Sequence, residues 1–92
     1  MIGGVVSEKR MTTEETKAQA RECHRIAIEH LPDLIKGSSR IATEENVLRG
    51  KRFRIHTRLT NEQRGEIGQV ETNADLETGE VRPSLVRYEF LP

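Results

Sequence analysis

From Lys51 to Thr60 the chain changes character at every second residue. Arg52, Arg54, His56 and Arg58 alternate with Phe53, Ile55, Thr57 and Leu59. Successive side chains leave a pleated backbone on opposite sides, so a period of two marks a strand with one buried and one solvated face. A single strand cannot bury its apolar side, and neighbours are legible downstream. Asn61–Gly65 is polar and ends in glycine, which predicts a turn. Glu66–Ala74 reads as a second strand and Asp75–Val81 as a second turn, with an aspartate that can bond its own backbone and a glycine free to take positive φ. A third strand is expected over Val81–Phe90, with Pro83 marking it as an edge or bulge. Pairing the first two strands about their turn sets Arg54 opposite Glu71, Phe53 opposite Thr72 and Ile55 opposite Val70. Apolar residues then meet inward and opposite charges meet outward. In the third strand Val86, Tyr88 and Phe90 share a face, and Tyr88 or Phe90 is placed to cover the gap left by Gly68.

Upstream the period changes. Thr12 and Glu15 form the T-x-x-E pattern of a capping box. Thr16, Ala20, Cys23, Ala27 and Leu31 then recur at helical spacing, with Ile28, Leu34 and Ile35 widening the stripe. Pro32 cannot donate to a helical ladder, so the helix ends near His30, kinks there, or restarts as a second short piece. Residues 40 to 50 read either as a strand and turn or as a helical turn capped by Thr43. The expected fold is α+β: an N-terminal helix packed on a three-stranded antiparallel sheet. Residues 1 to 11 form a flexible arm and residues 12 to 92 one small domain.

Several function classes lack their residues. Cys23 is the single cysteine, so no internal disulfide and no paired-cysteine zinc site is available. His24 and His30 stand six apart, off the four-residue spacing of a helical metal pair. Cys23 lies on the apolar stripe, where cysteine behaves as a small hydrophobe. No apolar run approaches the roughly 18 residues of a membrane span. These observations assign no catalytic residue, no metal ligand and no cofactor, and they predict a cytoplasmic protein without membrane contact.

Formal charge is zero overall but unevenly spread. Residues 40 to 65 are basic and residues 66 to 92 acidic. The row Arg52, Arg54, His56 and Arg58 is the candidate contact for nucleic acid or an acidic partner. It lacks the outward aromatic residues on which RNA-binding sheets stack bases.

The stretch Asn73-Ala74-Asp75-Leu76-Glu77-Thr78-Gly79-Glu80-Val81 carries the turn D-x-x-T-G-E-V and, with the helix before it, resembles the PepSY-type module. That resemblance implies a non-catalytic binding or regulatory domain and brings no site residues with it. The expected function is therefore a small non-enzymatic interaction or regulatory module. Its partner is another protein or a second copy in a homodimer, met through Val86, Tyr88 and Phe90. Nucleic-acid binding through the basic strand is the alternative.

Overall fold

A computed structural model describes residues 12–89; the expected arm over residues 1 to 11 and Phe90 lie outside the described residues. Helix α1 spans Thr13–Glu29. The capping box forms as expected: the Glu15 N–H donates to Thr12 Oγ1 at 3.1 Å, and the Thr12 N–H donates to Glu15 Oε1 at 2.8 Å. That second bond holds the Glu15 carboxyl below its ordinary pKa. At the other end Pro32 ends the first helix and caps a second piece, α2, over Asp33–Gly37.

Four strands follow: β1 Arg40–Leu48, β2 Arg52–Asn61, β3 Gly65–Asp75 and β4 Leu85–Tyr88. They form one antiparallel sheet in the order β1-β2-β3-β4. The expected three-stranded sheet is corrected to four, because residues 40–48 form a full edge strand rather than a helical turn. The expected β2–β3 register is corrected by two residues. Arg54 stands opposite Asn73 and His56 opposite Glu71; Phe53 meets Ala74, Ile55 meets Thr72 and Thr57 meets Val70. A two-residue slip keeps every side chain on its expected face, so the inward set survives.

The turns explain the register. Asn61 Oδ1 accepts from the Gln63 and Arg64 N–H groups, and Gly65 takes φ +80°. The pairing then shifts between Leu59 and Thr60, where a bulge sets Ile67 out of step. A residue that strict alternation would send to solvent is thereby only 3% exposed. At the second turn Asp75 Oδ1 accepts from the Glu77 and Thr78 N–H groups, and Gly79 takes φ +82°, as its sequence predicts. Between β1 and β2 the chain reverses through Arg49 and Gly50, both at positive φ, the turn that suits the twist of a hairpin.

Helix α1 lies on the face of β2 and β3. The core under it has two parts. Leu31, Ile35, Leu59, Ile67 and Val70 pack at one end. Ala20, Phe53, Ile55 and Ala74 pack at the other. Leu34, expected on the apolar stripe, is instead 61% exposed, because the break at Pro32 rotates α2 to bury Ile35.

Gly68 lies opposite Tyr88, and a Cβ built there would sit 2.8 Å from the Arg87 carbonyl oxygen and 3.0 Å from Tyr88 Cβ. The glycine is what lets β4 close on β3. Gly68→Ala is expected to lower stability by about 1–3 kcal/mol, as overpacking does, and to speed amide exchange in β4 first. An unchanged denaturation midpoint would show that β4 yields freely.

Candidate functional site

Three features carry chemistry: the basic row on β2, a buried histidine, and the open edges of the sheet.

The basic row lies where alternation puts it, on the sheet face away from α1. Arg52 and Arg58 are exposed; Arg54 and His56 are half-buried by their neighbours. The cations do not stand alone. On the same face β1 sets Glu44 opposite His56, and β3 sets Glu71 opposite His56 and Asp75 opposite Arg52. Arg58 pairs with Glu66 at 3.4 Å. His56 Nε2 hydrogen-bonds Gln69 Oε1 at 2.9 Å. With Arg40 on β1 and Arg87 on β4, five arginines share this face with four carboxylates, Glu44, Glu66, Glu71 and Asp75. The basic and acidic halves of the sequence are thus interleaved by the hairpins, and the row presents a mixed-charge surface. Phe53 points inward, beneath the Lys17 and Arg21 side chains of α1, and offers no base-stacking platform outside.

His24 is 5% exposed and sits between the two core clusters. Its Nδ1 hydrogen-bonds Thr72 Oγ1 at 2.7 Å, and its Nε2 hydrogen-bonds Thr57 Oγ1 at 2.6 Å. Thr57 continues to Thr43 at 2.7 Å, and Thr72 to Ser84 at 2.5 Å. Cys23 Sγ lies 3.5 Å from the Ser84 hydroxyl. The chain crosses the sheet from β1 to the segment before β4. Neutral imidazole has one donor and one acceptor nitrogen. Thr43, Thr57, His24, Thr72 and Ser84 can therefore all point their protons one way along the chain, with each inner group both giving and receiving. A second proton on His24 would reverse half of it and place a charge in a dry site. Burial accordingly holds the His24 pKa below its ordinary value; nearby His56 adds to this and Glu45 opposes it.

Helical spacing places Cys23 on the buried stripe, yet His24 is the more deeply buried of the two. Helical spacing alone admits either residue, and only the threonines at 57 and 72 make a histidine comfortable there. Cys23 is half-buried toward Ser84, and no group of three His, Cys, Asp or Glu side chains gathers among the described residues. An open cleft between Gly37–Arg40 and Thr60–Gln63 has its serine hydroxyls turned away, donating to the Leu34 and Ile35 carbonyls.

The edges differ from each other. β4 is four residues long, with Val86 42% and Tyr88 38% exposed on the helix-side face. β1 is nine residues long, and every one is exposed. Ile41 and Val47 stand on its helix-side face beyond the reach of α1, whose Arg21 stretches across to clasp Glu45 at 2.9 and 3.0 Å. That pairing lowers the Glu45 pKa. No helix among the described residues is long and apolar enough to cross a membrane.

Searches for related proteins found no matching family, no matching curated protein and no matching solved structure. The functional reading therefore stands on this geometry.

Two measurements follow. The unfolded chain binds a proton at His24 more readily than the folded one, so this residue's contribution to stability is complete above the ordinary histidine value near pH 6.5 and is lost as pH falls. Between pH 7 and pH 5 the wild-type melting temperature should fall more steeply than that of His24→Leu. Parallel slopes would assign the proton to another group. The mixed-charge outer face predicts no sequence-specific nucleic-acid complex at physiological salt. A salt-resistant shift abolished by Arg54→Glu would contradict that reading.

Proposed function

We propose that this protein is a non-enzymatic interaction module that receives an extended protein segment along the open edge of β1. The observation that carries this is the edge itself. β1 is nine residues long, regular in its pairing with β2 from Arg40 to Leu48, free of proline, and exposed at every residue, with Arg21 of α1 reaching only Glu45. An edge strand presents a row of backbone donors and acceptors directed away from the sheet, and a long regular one is a template for another strand. Proteins usually blunt such edges with prolines or bulges. β4 has Pro83 before it and only four residues; β1 has neither protection.

The buried polar groups favour binding over catalysis. His24, Thr57 and Thr72 are buried and engaged with one another, and their hydroxyls continue to Thr43 and Ser84. A binding or regulatory role also accords with the PepSY-like turn, and a single half-buried cysteine suits the cytoplasm.

Strand addition can be tested with displayed extended peptides, read by amide exchange. Binders should protect alternate amides of β1 and no others. Amide directions alternate along a strand, so Ala42→Pro and Thr43→Pro remove one inward and one outward N–H. The variant that keeps its circular dichroism should lose the peptide. Binders that leave β1 unprotected, or a folded proline variant that still binds them, would overturn this function.

A further inference from the structure

We propose that the segment seated on β1 is the β1 strand of a second copy of this chain, running antiparallel about a two-fold axis through Ala42. This rests on β1 being the binding edge, and it adds the partner and the register.

Charge and symmetry select the register. Residues directly opposite in an antiparallel ladder point to the same face, so a two-fold axis normal to the sheet must pass through a residue position. The charged residues of β1 discriminate between centres along Arg40–Leu48. An axis at Glu44 sets that carboxylate against its own copy, and an axis at Glu45 does the same while pulling Glu45 from Arg21. Like charges directly opposite are destabilising. An axis at Thr43 faces Ile41 with Glu45. An axis at Ala42 sets the small alanines together, Ile41 beside Thr43, and Arg40 of each copy opposite Glu44 of the other.

Arg40 and Glu44 fit that role in the single chain. Both are exposed, both lie on the face away from α1, and neither has an ion-pair partner among the described residues. Elsewhere on the same face Arg58 holds Glu66, and Asn73 donates to Glu71 at 2.9 Å. The second copy would meet two unpaired opposite charges at the spacing its own strand repeats, and would satisfy both twice. The product is one continuous eight-stranded sheet with both long helices on the same side. The seam covers Arg40–Glu44 of each copy, Glu45–Leu48 extends beyond it, and the two short β4 strands form the outer edges, an isologous two-fold arrangement.

Sedimentation velocity on the full chain at micromolar concentration tests the pairing. The wild type is expected to be a dimer. Arg40→Glu and Glu44→Arg each replace two attractive pairs with two repulsive ones and should weaken dimerisation about tenfold or more. Mixing the two variants should restore a heterodimer, because every contact then becomes attractive again. A second variant reads the axis directly. In a Cys23→Ser background, Ala42→Cys places two cysteines opposite each other within disulfide reach and should crosslink under mild oxidation. Asn46→Cys should not. A dimer indifferent to both charge changes, or one that crosslinks at Asn46 instead, would overturn the register. A dimer lost on Val86→Glu yet kept in Arg40→Glu would move the contact to β4 and overturn the proposal. A wild-type monomer at all concentrations would overturn self-pairing. Peptide protection of β1 would then separate that outcome from failure of the edge itself.

Discussion

An α-helix with its side chains is about 10 Å across, and neighbouring strands lie about 4.8 Å apart. One helix therefore covers two strands, and this sheet has four. Most of the molecule follows from that mismatch. β2 and β3, beneath α1, alternate between buried and partly exposed positions. β1 and β4, outside its shadow, are exposed throughout. Ile41, Val47, Val86 and Tyr88 face the helix side yet keep more than a third of their surface in water. The same limit leaves both lateral edges open, and the longer one is the natural place for a partner.

Under the helix the core is divided by a polar chain. His24 between Thr57 and Thr72 ties α1 to the two central strands at a point where apolar packing would have been indifferent to sliding. Buried polar groups are costly unless every one is paired, so a histidine with two hydroxyl partners favours one placement of helix on sheet over its neighbours. The bulge at Ile67 serves the other cluster. It swings a residue from the outer face into the space beside Leu31, Ile35 and Leu59.

The distribution of charge shows how topology changes the meaning of a sequence pattern. Along the chain, cations precede anions. Folding the chain back in hairpins lays the second group beside the first, and the arginines of β2 end among Glu44, Glu66, Glu71 and Asp75. Proximity is not pairing: Arg40 and Glu44, on the open edge, have no ion-pair partner among the described residues.

The capping box at Thr12, the inward row from Phe53 to Leu59, the turn at Asp75–Gly79 and the edge character of the last strand were legible in the sequence. Each is a local device, with its donor, acceptor or apolar partner a few residues away or on a strict period. β1 was not legible. Its helix-side positions, Ile41, Thr43, Glu45 and Val47, carry no consistent polarity because nothing covers them, and an uncovered strand has no burial pattern to write into its residues. The β2–β3 register was visible only to within two residues, since a shift of two preserves both faces and only the geometry of the Asn61 turn and the Ile67 bulge separates the choices. His24 became a core residue by tertiary placement alone. Helical spacing admits it or Cys23, and the hydroxyls that decide between them arrive from strands more than thirty residues away.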